Sequence, residues 1–284
     1  MAKDTVFSTK KTLNIDGRVL DLSTPLVMGI INTTPDSFFD GGKHFSEKLI
    51  LQQAQKIIEE GASIIDIGGY STRPGAEIVS IDEEIKRVTN AIESILDRFP
   101  NTIISIDTFR AVVAEAAINA GAKIVNDISA GELDDDMFSL IAKTKVPYIM
   151  MHMRGNPQNM QQLTSYANLM ADITDYFVEK VKLLQQLGVA DIIIDPGFGF
   201  AKTKEHNFEI LEKLHYFKGL GLPLLVGLSR KSMIYKTLDN NAEQALNGTS
   251  VLNTIALMNG AKILRVHDVK EAMECIKLFK TTYS

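Results

Sequence analysis

Short apolar runs recur along the chain, and each is followed by a stretch with helical spacing. The runs are LVMGII (26–31), SIIDIG (63–68), TIISID (102–107), AKIVN (122–126), VPYIMM (146–151), DIIID (191–195), LPLLVG (222–227) and AKILRV (261–266). They are β-branched or otherwise apolar and mostly do not alternate with polar residues, which suits parallel strands buried on both faces. Between them the pattern predicts helices over SEKLILQQAQKIIEEG, DEEIKRVTNAIESILDRF, RAVVAEAAINAG, LDDDMFSLIAKT, SYANLMADITDYFVEKVKLLQQLG, KEHNFEILEKLHYF and AEQALNGTSVLNTIALMNG. A last helix is expected at DVKEAMECIKLF. Gly61, Gly121, Gly188 and Gly260 stand where helix C-caps belong.

Eight strand–helix repeats in 284 residues predict an α/β fold, a (β/α)8 TIM barrel. A doubly wound sheet is the competing architecture, but it normally uses fewer strands per domain. No linker-like shift in composition divides the chain, so residues 1–284 are expected to form a single domain. Residues 1–25 read differently, as two short strands around an Asp16-Gly17 turn. They are expected to form an N-terminal β-hairpin extension that caps one barrel end.

Composition narrows the function classes. The chain is 45% hydrophobic and 23% charged, an ordinary globular mixture. Its formal net charge is -5 and its pI about 5.6, so no global basic field attracts nucleic acid. No apolar run approaches the roughly 20 residues that span a bilayer. The segment MAKDTVFSTKK lacks the apolar core of a signal peptide. One cysteine, Cys275, leaves no internal disulfide and no cysteine-based metal site. A cytoplasmic location and small-molecule partners are expected.

A barrel enzyme carries its chemistry at the C-terminal ends of its strands. The polar residues fall there. Asn32 follows the first strand, and Asp66 lies in the second, whose loop carries Thr72 and Arg73. Asp107 ends the third strand, Asn126-Asp127 the fourth, and Met151-His152 follow the fifth. Asp195 and PGFGFAK close the sixth, Ser229 to Ser232 follow the seventh, and Arg265 and His267 end the eighth. Each alone has an ordinary explanation: a helix cap, a turn, a packed histidine, a surface pair. Together they supply a specific chemistry. Arg265, His267, Arg73 and Lys231 offer positive charge and donors for phosphate or carboxylate. Asp107, Asn126 and Asp195 offer acceptors for a flat heterocycle rich in N–H groups. Ser232 is expected to start a helix whose N-terminus favours an anion. No Rossmann or P-loop signature and no zinc-binding histidine cluster is present.

Seven segments, in order, resemble the dihydropteroate synthase family: MGIINTTPDSFFDGG, GASIIDIGGYSTRPGA, SIDT, VND, DPGFGFAK, GLSRKS and RVHDV. The resemblance spans about Leu13 to Lys280. It implies a (β/α)8 barrel, a homodimer, and a Mg2+-dependent transfer of a pterin-methyl group. The reaction would join 6-hydroxymethyl-7,8-dihydropterin diphosphate to p-aminobenzoate, giving 7,8-dihydropteroate and diphosphate in folate synthesis. By position in the motifs, Asn32 would be the protein ligand of Mg2+ on the diphosphate, and Arg73, Arg265 and His267 would face the diphosphate oxygens. Asp107, Asn126, Asp195 and Lys231 would hold the pterin. Thr72, Arg73, Pro74, Phe200, Lys231 and Ser232 would form the p-aminobenzoate pocket. Asp36, Ser37 and Phe38 would close over that pocket as a mobile loop. Asp107, Lys231, Arg265 and His267 are the expected catalytic set. This chain departs from many members at Tyr70, where they have Glu, and at Phe39, where they have Ser. Two other readings share the barrel: a methyltetrahydrofolate-dependent corrinoid methyltransferase and a non-catalytic pterin-binding paralogue. The first would not need Arg265, His267 or the Ser-Arg-Lys-Ser loop. The second should have lost Asn32, Lys231 or Arg265.

Overall fold

The structure is a computed structural model in which residues 9–33, 43–70 and 79–283 are described. The chain opens with an antiparallel hairpin of β1 (Thr12–Ile15) and β2 (Arg18–Asp21), paired from Thr12↔Asp21 to Ile15↔Arg18. Eight parallel strands follow: β3 (Leu26–Asn32), β4 (Ile64–Gly68), β5 (Ile103–Asp107), β6 (Ile124–Asp127), β7 (Tyr148–Met151), β8 (Ile192–Asp195), β9 (Leu225–Val226) and β10 (Ile263–Val266). Their order is β8-β7-β6-β5-β4-β3-β10-β9. A parallel bridge from Ile194 to Leu224, with the Ile194 amide donating to the Pro223 carbonyl at 3.0 Å, brings β8 beside β9. The sheet thus curls into a nearly closed barrel.

Helices cover its outside: α1 (Lys43–Glu59), α2 (Ile81–Arg98), α3 (Ala111–Asn119), α4 (Met137–Thr144), α5 (Leu169–Gln186), α6 (Lys204–Glu212), α7 (Ser232–Tyr235), α8 (Leu246–Met258) and α9 (Val269–Tyr283). Gly61, Gly121, Gly188 and Gly260 all take positive φ, as the expected C-caps require. Several helices start later than the apolar pattern suggests. Asn168 caps α5 by accepting from the Ala171 amide, so the helix begins at Leu169 and not near Ser165. Asp134 turns its carboxylate to the amides of Asp136 and Ala111 and stays outside α4. After Glu212 the expected helix tightens into a 3-10 segment, Leu214–Leu220. None of these helices is long and apolar enough to cross a membrane.

The strands that look uniformly apolar do alternate in three dimensions. Ile65, Ile67, Ile104, Ile106, Val125, Ile192 and Ile194 pack outward in one large cluster with the helices. The intervening positions face the barrel axis. At the lower level these are Met28, Ile64, Ile124, Ile149, Ile193, Leu225 and Ile263, with Ile103 against them. Leu13, Ile15 and Leu22 of the hairpin segment join the same cluster and plug the N-terminal end of the barrel. Lys10 fixes the plug, its ammonium 2.6 Å from Asp191 at the foot of β8. One step up, the inward positions change character: Asp66, Ser105, Asn126 and Arg265.

Candidate active site

The β-strand period of two places Asp66 above Ile64, Ser105 above Ile103, Asn126 above Ile124 and Arg265 above Ile263. Parallel register sets Asp66 opposite Ser105 and Asp107 opposite Asn126. The polar layer is knitted together across four strands. Arg265 donates from Nε to Asp66 Oδ2 at 2.6 Å and from Nη2 to Asp107 Oδ2 at 2.6 Å. Asn126 Nδ2 donates to the same Asp66 oxygen at 3.0 Å. Asp66 is fully buried, while the Asp107 side chain keeps 18% exposure toward the mouth.

Burial dominates the titration of this layer. It pushes Asp107 from 3.8 up to about 7; Arg265 opposes the shift, and Asp66, Glu84 and Asp127 reinforce it. Burial also works against the Arg265 cation, but Asp66 and Asp107 more than offset it and raise its pKa further above the usual arginine range. Asp195, on the opposite wall, is raised by burial against the pull of Lys231 and the Gly197 amide. That amide donates to Asp195 Oδ1 at 2.7 Å. Gly197 sits at φ +73, and a Cβ there would lie 2.1 Å from the His152 carbonyl, so only glycine fits the turn that grips Asp195. Lys231 is lowered to about 8 by burial, with Asp195 opposing and Arg265 adding to the fall. It donates to the Phe198 carbonyl, and its Nζ lies 5.0 Å from the Phe200 ring centroid.

Asn32 ends β3 at the mouth and pairs in register with Gly68. A Cβ on residue 68 would sit 3.7 Å from Asn32 Oδ1 and 3.6 Å from Asp107 Oδ2. Glycine therefore keeps open a space bordered by an amide oxygen and a carboxylate. His267 closes the rim from β10, its Nδ1 3.0 Å from Ser229 Oγ, which also accepts from the His267 amide at 3.2 Å. Phe200 is half-buried beside Lys231. Ser232 is the first residue of α7, a single turn, and is exposed.

Residues 28–267 match the pterin binding enzyme family. The dihydropteroate synthase of Escherichia coli is 44% identical over 270 residues, 94% of this chain and 95% of that protein. This chain belongs to the dihydropteroate synthase family. Among solved structures, the Yersinia pestis dihydropteroate synthase in a sulfonamide drug complex has a TM-score of 0.89 at 43% identity, covering 95% of this chain and 98% of that one. The Xanthomonas albilineans dihydropteroate synthase with 4-aminobenzoic acid has a TM-score of 0.90 at 36% identity, covering 97% and 99%.

Of the residues the sequence pointed to, Asn32, Asp107, Asn126, Asp195, Phe200, Lys231, Ser232, Arg265 and His267 all stand at the C-terminal ends of the strands or in the loops just beyond. Asp36, Ser37, Phe38, Phe39, Thr72, Arg73 and Pro74 lie outside the described residues. Arg230 of the Ser-Arg-Lys-Ser loop turns away from this group. It pairs with Asp268 through Nε at 2.9 Å and Nη2 at 2.8 Å and bonds the Ala242 and Glu243 carbonyls.

The sequence places Asp66 and His152 among the strand-end polar residues, with a packed histidine as the ordinary reading of His152, but assigns neither of them, nor Lys202, a role in binding. Lys202 is 4% exposed and ties two loops together, its Nζ 2.9 Å from His152 Nδ1 and donating to the Phe200 carbonyl at 2.9 Å. Burial and the neighbouring Lys202 push His152 down to about 2, so its ring is neutral. The available signal was a single charged residue inside an otherwise apolar or glycine-rich stretch: Asp in IIDIG, Lys in GFGFAK.

Proposed function

We propose that this chain condenses 6-hydroxymethyl-7,8-dihydropterin diphosphate with p-aminobenzoate, releasing diphosphate and forming 7,8-dihydropteroate. The observation that carries this reading is the layered barrel mouth: carboxylate and amide acceptors deep inside, with Arg265 between two of them and His267 and Asn32 at the rim. That order matches a substrate with an N–H-rich ring at one end and a diphosphate at the other. The relatives named for this activity support it.

Asp195 and Asn126 take the N–H edge of the pterin, and Lys231 the opposite edge. Arg265 and His267 hold the diphosphate as charge grows on it. Asp107 beside the methylene offsets the cation left when the carbon–oxygen bond breaks. The aniline nitrogen of p-aminobenzoate is neutral at neutral pH, attacks that carbon without a strong base, and then gives its extra proton, now strongly acidic, to water. Phe200 and Lys231, with Ser232 at the carboxylate, border the p-aminobenzoate position. Thr72, Arg73 and Pro74 join this pocket, and Asp36, Ser37 and Phe38 close it, by resemblance alone.

The open space bounded by Asn32 Oδ1 fits a hard cation held by one protein oxygen, substrate phosphates and water, which suits magnesium. When bound there, Mg2+ neutralises charge on the departing diphosphate. A homodimer and a cytoplasmic location belong to the same proposal. Exposed Val251 and Met258 on α8 and Leu278 on α9 support the first as an apolar ridge on neighbouring helices.

The test is a coupled assay with pterin diphosphate, p-aminobenzoate and Mg2+. Folded protein should release diphosphate and form dihydropteroate, with loss of turnover on chelation and recovery on adding Mg2+. Pterin binding without product would refute the reading. Sedimentation of the pure protein reports the oligomer.

A further inference from the structure

Asp66 stands outside the roles that the family resemblance assigns, yet it is the fixed point of the polar layer. It lies in mid-strand, two residues above Ile64 and two below Gly68, and is fully buried. A strand selected for stability alone would keep an apolar residue there, because burying a carboxylate is costly even when it is paired. The cost is increased by incomplete pairing. Among the described residues, Asp66 Oδ1 has no hydrogen-bond partner, nor does Ser105 Oγ, its register neighbour on β5.

The stereochemistry of its other oxygen shows what the carboxylate controls. Nε–H and one Nη2–H form one edge of a guanidinium. Here that edge is split between Asp66 and Asp107. The end edge, Nη1 with the second Nη2–H, is the one that remains for an anion. Asp66 Oδ2 also accepts from Asn126 Nδ2 at 3.0 Å. A carboxylate only accepts, so it fixes the amide orientation of Asn126 and turns Oδ1 toward other donors.

We propose that Asp66 is a positioning residue for the transfer reaction: one buried oxygen aims the end edge of Arg265 at the diphosphate and makes Asn126 an acceptor for the ring N–H. The inference rests on the function proposed above. Asp66 acts through Arg265 and Asn126 and does not touch the substrate. An asparagine at this position keeps one oxygen that both partners can reach, but it loses the negative charge that strengthens and orients both bonds.

The experiment is a double-mutant cycle with Asp66→Asn and Arg265→Lys in the purified enzyme, read by steady-state kinetics and melting temperature. Asp66→Asn should lower kcat about 100-fold and raise KM for pterin diphosphate about tenfold, with KM for p-aminobenzoate changed less than about threefold. Added to Arg265→Lys, it should cost no more than about threefold further, because both changes remove one interaction. Fully additive losses would mean that Asp66 does not act through Arg265 and would overturn the proposal. A lower melting temperature with unchanged kinetic constants would reduce Asp66 to a structural group and also overturn it.

A measurement on the wild type needs no folded Asp66 variant. In protein labelled with 15N-arginine, the Nε–H signal missing from Arg265→Lys should exchange slowly both before and after pterin diphosphate is added. Its release on binding would refute the arrangement. A wild type that forms no dihydropteroate would sink the functional reading itself, which the variant comparison within an active enzyme does not probe.

Discussion

Asp107→Asn should stabilise the fold at alkaline pH while damaging the enzyme. The carboxylate is raised from 3.8 to about 7, chiefly by burial, so folded protein holds a proton there that unfolded protein has released. For an acid with a raised folded pKa, stability is fully present below the unfolded value and is lost as pH rises through the folded value. The window therefore runs from about pH 4 to 7. Between pH 5 and pH 8 the wild type should lose roughly 2–3 kcal/mol through this one group, a loss that the amide cannot suffer.

Asparagine keeps an oxygen that can accept from Arg265 Nη2, and Asp66 still holds Nε. For 284 residues at roughly 2.1 cal/mol/K each, the unfolding entropy is about 0.6 kcal/mol/K. The melting temperature of the variant minus that of the wild type should therefore grow by about 4 °C from pH 5 to pH 8. Circular dichroism melts at closely spaced pH values measure this, and a coupled assay on the same samples should show turnover down about 100-fold or more. A difference in melting that is flat with pH, or that shrinks on going alkaline, would refute the raised pKa. Near-normal turnover with intact pterin binding would refute the electrostatic role of Asp107.

Arg265→Met removes the cation from between two buried carboxylates and should cost about 3–5 kcal/mol near pH 8, with a smaller loss near pH 5, in urea unfolding. A pH-independent loss would show that Asp107 is not left charged. Gly197→Ala sets a Cβ 2.1 Å from the His152 carbonyl at φ +73 and loosens the amide that grips Asp195. It should cost about 1–3 kcal/mol from backbone strain alone and weaken pterin binding in calorimetry, and a silent substitution would contradict the geometry. Leu13→Ala opens the plug at the bottom of the barrel and should cost about 2–5 kcal/mol with little change in KM, as hydrophobic truncation far from the mouth does. A large KM effect would mean that the plug communicates with the site.

The chemistry of the pocket was legible because barrels concentrate function at strand ends, and each strand here breaks from apolar to polar at its C-terminal end. Asp107, Asn126 and Asp195 could be found from that break alone. Asp66 is visible in the same way, but its function is not, because an Asp inside IIDIG looks like an interruption of a strand and not like part of a network. Its partners are Arg265, 199 residues away in sequence, and Asn126, 60 away. Arg230 shares the Ser-Arg-Lys-Ser loop with Lys231, but with a positive φ of 55 it turns out of the mouth onto Asp268, which the loop's composition does not reveal.

The sequence by itself determined the strand count, the barrel, the hairpin and the list of polar groups at the mouth, because period, caps and turn residues are local. Only the tertiary structure decided which side of each apolar strand faces the axis, since both faces are buried and both look alike in sequence. It also decided how the acids titrate, since burial in the closed barrel raises both Asp107 and Asp195. Asp107 and Asp195 both end barrel strands, but Asp107 shares Arg265 with Asp66 whereas Asp195 is gripped by a backbone amide and faces Lys231. A side chain's proton is set by what closure of the barrel brings against it.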